Sequence, residues 1–255
     1  MKKNILLKIK YDGTHFAGLQ IQPRQRTVQG EIEKVLSKIA GEEIRIEPTS
    51  RTDSGVHAIC QCVTFQWDVN LPTEKLKYVL NNCFSKRQNR FRILSDIEIL
   101  SAEEVPEDFH ARFSATGKTY RYIIHNAKEY DIYRRNYVYE VKEDLDFQSM
   151  KKACSYFIGE HDFKSFESSG SNPRETTVRT VTDMRIERVD EDIIIQVTGN
   201  KFLYNMVRIM VGTLVEVGMG RKKPEDIKEI IQAKNRTAAG HTAPPQGLYL
   251  LEIYY

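Results

Sequence analysis

The sequence lacks the signals that mark several large classes of protein. No run of about 18 apolar residues occurs, so no membrane-spanning helix is expected. The four cysteines show no Cys-x-x-Cys spacing and the six histidines form no His-x-x-x-His pair, so neither a disulfide framework nor a zinc site is indicated. The glycine-rich nucleotide-binding motifs and the Gly-x-Ser-x-Gly hydrolase motif are also missing. We therefore expect a protein of the reducing cytoplasm without a metal ion.

The first ten residues alternate in polarity rather than forming a secretion signal. Lysines interrupt the apolar residues there, and the pattern predicts a strand. The whole chain has 255 residues and is 40% hydrophobic, which is enough for one or two domains with a sizeable core.

The net charge is only +3, but the basic residues are clustered. The clusters are Arg24/Arg26, Lys86/Arg87/Arg90/Arg92, Lys118/Arg121, Arg134/Arg135, Arg174/Arg179 and Arg221/Lys222/Lys223. Tyrosines are interleaved with several of them, at positions 120, 122, 130, 133, 137 and 139. Cations for phosphates beside rings for bases are what an RNA-binding surface needs. An ordinary solvated surface with half-buried strand tyrosines explains the same pattern, and both interpretations stay open.

Periodic patterns predict the order β-α-β-β-α-β twice along the chain. In the first half the strands are 3–11, 44–48, 58–67 and 91–100, and the helices are 28–40 and 72–84. In the second half the strands are 118–125, 137–141, 177–189, 192–199 and 247–255, and the helices are 147–158, 202–217 and 224–233. The predicted fold class is α+β, with two ferredoxin-like halves, a central antiparallel sheet flanked by helices, and an active-site cleft between the halves. We place the boundary between residues 105 and 106.

One turn concentrates charge between two predicted strands. Residues 50–57, Ser-Arg-Thr-Asp-Ser-Gly-Val-His, hold the carboxylate of Asp53 two residues from Arg51. Charged groups on a turn at strand ends are typical of catalytic sites. The alternative is a plain Asx-turn in which Gly55 supplies a positive φ. We interpret His57, His110 and His161 as structural hydrogen-bonding residues or RNA contacts rather than catalysts.

The most hydrophobic predicted helix contains an arginine. Residues 202–217 are apolar nearly all round, yet Arg208 lies among them. A buried guanidinium requires an anionic partner, and Asp53 is one candidate. The alternative is that Arg208 extends from the helix edge to solvent.

Eight motifs, in this order, resemble the tRNA pseudouridine synthase A family over essentially the whole chain. They are Tyr11-Asp-Gly-Thr-x-Phe-x-Gly, Thr27-Val-Gln-Gly-x-x-Glu, Arg51-Thr-Asp-x-Gly-Val-His-Ala, Asp108-Phe-His-Ala-Arg-Phe-Ser-Ala, Lys118-Thr-Tyr-Arg-Tyr, Gly159-x-His-Asp-Phe-x-x-Phe, Phe202-Leu-x-x-Met-Val-Arg-x-Met-Val-Gly and Thr242-Ala-Pro-Pro-x-Gly-Leu-x-Leu. Each motif alone is moderately specific for this family, and the eight motifs in this order are strong evidence of the resemblance.

The resemblance implies a homodimer that binds tRNA and isomerises uridine to pseudouridine in the anticodon stem-loop, at positions 38–40, without a cofactor. By motif, Asp53 resembles the essential aspartate and Arg208 its basic partner. Tyr120 resembles the tyrosine that stacks on the target base. Arg51 resembles the arginine that opens the stem, and Leu248 resembles the apolar wall of the pocket.

Three features depart from the family pattern. Leu19 stands where the family commonly has tryptophan, Ser50 stands where it has glycine, and the basic segment 86–92 is longer and more basic than usual. A paralogue that modifies another RNA uridine, a non-catalytic RNA-binding protein and a hydrolytic nucleosidase are the alternative functions.

Overall fold

The computed structural model describes residues 2–88, 91–93, 95–170 and 175–255, with the backbone alone for 86–88 and 91–93. The basic segment 86–92 and Arg174 therefore lie wholly or partly outside the described residues. The chain forms two compact units, Met1–Thr116 with Leu250–Tyr255, and Gly117–Tyr249.

The first unit extends past the boundary that the sequence suggested at residue 105. Its extra segment is bound to the first strand, because the Asn4 side-chain amide donates to the carbonyls of Pro106 and Phe109, at 2.9 and 2.8 Å. The Thr116 amide also donates to the Tyr254 carbonyl at 2.8 Å. Hydrogen bonds of this kind, which sequence periodicity does not reveal, assign residues 106–116 to this unit.

The first unit contains seven of the strands and two helices. In chain order they are β1 Lys3–Tyr11, α1 Val28–Ala40, β2 Glu47–Pro48, β3 His57–Trp67, α2 Thr73–Phe84, β4 Lys86–Gln88, β5 Phe91–Ile93, and β6 Ile97–Val105, followed at the far end of the chain by most of β12, Leu248–Tyr254. Strand β1 lies between β6 and β3 and is antiparallel to both, while β2 pairs with β3 and β4 pairs with β5.

Alternating apolar residues give this sheet one face of the core. Ile5 lies opposite Phe65 and Leu7 opposite Val63, and all four side chains are buried. Such cross-strand pairs are the unit of sheet stabilisation. Helix α2 packs on β6.

Helix α1 has the bounds that the sequence predicts, because both ends carry strong signals. The Thr27 hydroxyl accepts a hydrogen bond from the Gly30 amide at 3.2 Å, and Gly41 ends the helix with φ 75°. The predicted strand 44–48 is wrong in length, since only Glu47–Pro48 is a strand. Buried Glu33 instead accepts from the Ile46 amide at 3.0 Å, which satisfies a backbone group that a sheet would otherwise satisfy.

The predicted strand 91–100 is also wrong. The structure divides it into Phe91–Ile93, which pairs with Lys86–Gln88, and Ile97–Val105, which pairs with β1. Between them the Ser95 hydroxyl accepts from the Ile97 amide at 3.1 Å. Serine side chains that bond nearby backbone in this way compete with a continuous ladder.

The second unit contains five strands, three helices and the first two residues of β12. The elements are β7 Gly117–His125, β8 Tyr139–Glu140, α3 Phe147–Cys154, β9 Gly159–Asp162, β10 Val178–Val189, β11 Asp192–Gly199, α4 Met206–Gly218 and α5 Asp226–Ala233. The strand order β7-β11-β10-β9 is antiparallel throughout, and β8 adds to β7 in parallel. Helix α3 packs against α4 and β10.

Four predictions in the second unit differ from the structure. The predicted strand 137–141 is reduced to Tyr139–Glu140. Helix 147–158 stops at Cys154 and continues as a 3₁₀ turn, Ser155–Phe157. Strand β9 lies where the sequence suggested only a loop. Helix α4 begins at Met206 rather than at residue 202, because Asn205 takes the left-handed conformation with φ 59° and breaks the helix there.

Both units are thus mixed α+β with mostly antiparallel sheets. Within the described ranges, none of the helices has the length and apolar character needed to cross a bilayer.

Gly212 lets the backbone of residues 240–243 lie directly on α4. A Cβ at this position would come within 1.9 Å of the His241 carbonyl oxygen. We therefore expect Gly212→Ala to lower the free energy of unfolding by about 2–3 kcal/mol, despite the gain of about 1 kcal/mol in helix propensity. Denaturant unfolding measures this.

Gly30→Ala is the matched control, since the nearest atom to its added Cβ, 3.0 Å away, belongs to the Thr27 side chain rather than to backbone. Its unfolding free energy should change by no more than about 1 kcal/mol. Equal effects of the two substitutions would contradict the proposed contact.

The carboxylate of Asp192, at the start of β11, contacts a histidine and an arginine. It lies 2.9 Å from His125 Nδ1 and 3.1 Å from an Arg134 nitrogen. Burial acts to raise the pKa of Asp192, but hydrogen bonds from Arg134 and His125 outweigh it and hold the pKa below its usual range. The stability this group provides is therefore complete above the unfolded carboxyl pKa of about 4 and is lost as pH falls through the lower folded pKa.

We expect Asp192→Asn to reduce the free energy of unfolding at pH 7 and to flatten its decline below about pH 4. Urea titrations at pH 7, 4 and 3 measure both effects. Asp190→Asn, at the exposed hairpin turn where φ is 52°, should leave the decline as in the wild type. An unaltered decline in Asp192→Asn would show that another group controls acid stability.

Candidate active site

Asp53 lies on a tight turn between β2 and β3. Its backbone carbonyl accepts from the Val56 amide at 3.2 Å, and Gly55 has φ 77°. The side chain of Asp53 is half-buried. The turn that the sequence predicts is present, and it leads directly into the long strand β3.

A loop from the start of the chain holds this turn in place. The Leu19 amide donates to the Thr52 carbonyl at 3.1 Å, and the Ser54 hydroxyl donates to the Phe16 carbonyl at 3.1 Å. Gly18, with φ 98°, permits the contact, because a Cβ there would lie 2.8 Å from the Thr52 oxygen. The residues on both sides of Asp53 are thus fixed to a second backbone segment.

Buried polar groups complete the support beneath the turn. The Tyr11 hydroxyl lies 2.7 Å from the Thr52 hydroxyl, and the Gly13 amide donates to His57 Nδ1 at 3.0 Å. A Cβ on Gly13 would come within 2.0 Å of the Val56 carbonyl oxygen. His57 is 2% exposed and is a structural hydrogen-bond acceptor, as the sequence suggested.

The structure also accounts for two residues that depart from the family pattern. Leu19 is fully buried, so its side chain belongs to the core while its amide supports the turn. The Ser50 carbonyl accepts from the buried Gln61 side chain at 2.7 Å. Arg51 is exposed, and within the described residues no hydrogen bond or ion pair holds its guanidinium.

Tyr120 lies on β7 in the second unit, directly opposite Val197 of β11. It is 7% exposed, and its ring meets Phe202 edge-on with 5.2 Å between centroids. Edge-to-face packing of this kind fixes the plane of a ring. The ring orientation of Tyr120 is therefore set by the protein.

Arg208 lies in the first turn of α4 rather than in its middle. Its Nε donates to the Ala243 carbonyl at 2.8 Å, and another guanidinium nitrogen donates to the Asn205 side chain at 2.7 Å. Asn205 in turn donates to the Ser168 hydroxyl at 2.9 Å. Arg208 is half-buried, and these two hydrogen bonds hold its guanidinium against the protein. The side chain therefore does not extend from the helix edge into solvent.

A cation in the first turn of a helix opposes the helix dipole, at a cost of about 0.3–1 kcal/mol. The amide oxygen of Asn205 and the carbonyl of Ala243 offset this cost by supplying negative dipoles. An arginine kept at this position against the dipole is typical of a functional cation.

The segment that follows Ala243 packs against the same region. The Tyr122 hydroxyl donates to the Pro244 carbonyl at 2.7 Å, and the Gly247 backbone lies against the Tyr122 ring. Burial raises the pKa of Tyr122 well above its usual range, while the nearby charge of Arg208 acts in the opposite direction. Leu248, which follows, is 6% exposed and begins β12.

The second unit thus brings three predicted residues into one neighbourhood. Tyr120 and Tyr122 point to the same face of β7, because they are two residues apart. Tyr122 links that face to Arg208 and to the start of Leu248's strand. Asp53 and Arg51 belong to the first unit, and the pairing of Asp53 with Arg208 stays a prediction.

Residue-by-residue sequence reasoning missed the supporting residues. Thr52, Tyr11, Gly18, Asn205 and Ala243 act through backbone, hydroxyl or side-chain amide contacts that have no charge signature. The available signal was their place inside the ordered motifs.

Comparison with known proteins agrees with the family resemblance of the motifs and extends over nearly the whole chain. The sequence profile of the family described as tRNA pseudouridine synthase matches residues 8–114 and 153–255. The chain is 47% identical over 253 residues to "tRNA pseudouridine synthase A 2" of Clostridium perfringens (strain 13 / Type A), covering 99% of this chain and 100% of that protein. It is 44% identical, with the same coverage, to "tRNA pseudouridine synthase A" of Acetivibrio thermocellus. It is 47% identical, again with that coverage, to the protein of the same name from Caldicellulosiruptor saccharolyticus.

Among solved structures, a chain of the "Crystal Structure of a Cbf5-Nop10-Gar1 Complex" matches at 13% identity and a TM-score of 0.35, covering 83% of this chain and 54% of that chain. A similarity this loose says nothing about fold or function. The family profile spans most of the chain, and three relatives at 44–47% identity cover nearly all of it. The chain belongs to the tRNA pseudouridine synthase family.

Proposed function

We propose that this protein isomerises uridine to pseudouridine in tRNA, with the Asp53 carboxylate as the essential group. The observation that carries the proposal is a carboxylate on a turn whose neighbours on both sides are hydrogen-bonded to a second backbone segment, in a chain of this family. Catalytic groups need fixed geometry, and this turn supplies it before substrate arrives.

The reaction exchanges one bond for another within the same nucleotide. The C1′–N1 bond breaks, the uracil turns, C1′ joins C5, C5 loses a proton and N1 gains one. Nothing is oxidised or hydrolysed. Asp53 acts either as a nucleophile on the ribose or as a base that removes a sugar proton, and both routes require its ionised form.

Arg208 is proposed as the cation that keeps Asp53 ionised and oriented. The support is its fixed guanidinium, which is held by Asn205 and Ala243 and carries a permanent positive charge. An opposite charge nearby favours the ionised form of an acid.

A uridine within a stem must leave its stack before it can react, at a cost of a few kcal/mol. We propose that Tyr120 receives the base, which offsets about 1–3 kcal/mol of this cost, and that its hydroxyl takes part in the deprotonation of C5. Leu248 is proposed as an apolar wall of the same pocket. Exposed Arg51 is proposed to contact the RNA and take the vacated place.

The substrate site and the assembly are part of the same proposal. The names of the relatives support tRNA as substrate, and hence reaction in the cytoplasm. The anticodon stem-loop at positions 38–40 and a homodimer follow from the family resemblance. For the fold, the order β6-β1-β3-β2 of the first unit supports a ferredoxin-like half. In the second unit the succession β7, α3, β10, β11, α4 and the start of β12 supports a second half, to which the short strands β8 and β9 and helix α5 are additions.

The central test replaces Asp53. We expect Asp53→Asn and Asp53→Ala to form pseudouridine at least about 1,000-fold more slowly than the wild type, because the attacking or accepting oxygen is lost. Affinity for tRNA should change by less than about threefold, since the carboxylate makes no attractive contact with phosphate. Carbodiimide-blocked primer extension maps the product, and filter binding at fixed salt measures affinity.

Asp190→Asn is the matched control and should react like the wild type. No pseudouridine from the wild type, or undiminished product from Asp53→Ala, would overturn the proposal. Release of free uracil would favour a nucleosidase, and tight binding without product would favour a non-catalytic RNA-binding protein. Product outside positions 38–40 would identify a paralogue with another target.

Tyr120→Phe separates the ring of Tyr120 from its hydroxyl. The phenyl ring keeps the contact with Phe202, so tRNA affinity should stay within about twofold of the wild type. The single-turnover rate should fall at least about tenfold if the hydroxyl moves a proton. Tyr78→Phe, on an exposed face of α2, is the control. A normal rate in Tyr120→Phe would restrict Tyr120 to stacking.

A further inference from the structure

Only two residues of helix α4 are not buried, and both hold the same loop. They are Arg208 in the first turn and Glu216 in the last. The 240–244 loop, residues Gly240–Pro244, lies along the stripe between them. Positions 208, 212 and 216 recur every four residues, so they fall on one face of the helix.

The loop is attached to this stripe by backbone contacts. The Gly240 amide donates to the Thr213 hydroxyl at 3.0 Å, and the His241 amide donates to Glu216 Oε1 at 2.9 Å. Gly212 leaves room for the His241 carbonyl. The path of the loop is therefore determined by the helix.

A chain of polar side chains fixes the Glu216 end. Glu216 Oε1 lies 3.2 Å from His241 Nδ1, and His241 Nε2 lies 3.1 Å from the Tyr139 hydroxyl. Lys222 lies 3.6 Å from the other oxygen of Glu216. Burial raises the pKa of Tyr139, and contacts with His241 and Lys222 outweigh burial to lower the pKa of Glu216. The Glu216 carboxylate accepts from the His241 amide, and the His241 ring lies between that carboxylate and the Tyr139 hydroxyl.

The other end of the loop contacts the proposed catalytic cation. The Ala243 amide donates to the Arg208 carbonyl at 3.0 Å, and the Ala243 carbonyl accepts from Arg208 Nε at 2.8 Å. Ala243 is two residues from His241, so a shift of the imidazole end displaces the acceptor that holds the guanidinium.

We infer that Glu216 is a positioning residue for the reaction, which acts through His241 and the 240–244 loop to hold the Arg208 guanidinium in place. This inference rests on the proposed function for its effect on rate. The effect on Arg208 itself is independent of that function, and the experiment reads both.

The first measurement is the Nε–H resonance of Arg208 in ¹⁵N NMR spectra, assigned by its absence in Arg208→Lys. In the wild type the bond to Ala243 should protect this proton from exchange. Glu216→Ala should speed its exchange at least about tenfold, and Tyr139→Phe, which removes only the outer hydrogen bond, should have a smaller effect. Unchanged exchange in a folded Glu216→Ala protein would overturn the inference whether or not the protein is active.

The second measurement is the single-turnover rate on tRNA. We expect Glu216→Gln to lower the rate at least about tenfold while the Kd for tRNA stays within about twofold of the wild type. The control is Glu229→Gln, on the exposed face of α5, which should leave both the rate and the Kd unchanged. The double variant Glu216→Gln/Arg208→Lys should react no more slowly than Arg208→Lys alone, because both changes act on the same group, the Arg208 guanidinium.

Multiplied losses in the double variant would show that Glu216 affects the rate independently of Arg208 and would overturn the inference. An active wild type with a normal Glu216→Gln rate would do the same. An inactive wild type would instead contradict the proposed function, and the exchange measurement would still decide the role of Glu216.

Discussion

The close approach of one backbone segment to another is the constraint that places both Asp53 and Arg208. In the first unit, residues 13–19 lie against the Asp53 turn, and the Leu19 amide donates to the Thr52 carbonyl. In the second unit, the 240–244 loop lies on α4. Each contact requires glycine, because a carbonyl oxygen occupies the position that a Cβ would take. These glycines are Gly13 and Gly18 in the first unit and Gly212 in the second. The proposed catalytic residues, Asp53 and Arg208, are thus placed by main chain, which has little freedom to repack.

The charged groups on helix α4 have separate roles. Two neutral oxygens, from Asn205 and Ala243, accept hydrogen bonds from the Arg208 guanidinium. Neutral acceptors fix the direction of a guanidinium without cancelling its charge. The carboxylate of Glu216 lies two turns away, where it orients the loop rather than neutralising the arginine.

Much of the fold can be predicted from the sequence, and candidate site residues can be proposed from it, for identifiable reasons. Helix α1 is bounded by Thr27 and Gly41, and the β10–β11 hairpin by a turn at Asp190, so local chemistry specifies them. Asp53 and Arg208 stand out because each is a charge in an unfavourable setting. The start of α4 could not be predicted, since it depends on Asn205 in a left-handed conformation. The split of residues 91–100 and the place of residues 106–116 could not be predicted either, because hydrogen bonds to distant residues decide them.

Strand β12 has a consequence for the order in which the protein folds. Its residues Leu250–Tyr254 belong to the first unit, although the whole second unit precedes them in the chain. As the polypeptide leaves the ribosome, the first unit must therefore wait for its last strand until the second unit has been synthesised. Contacts of such long sequence separation form late and slowly. The nascent first unit exposes the edge of β3 during that interval, because strand β12, which pairs with β3, follows the whole second unit in the chain.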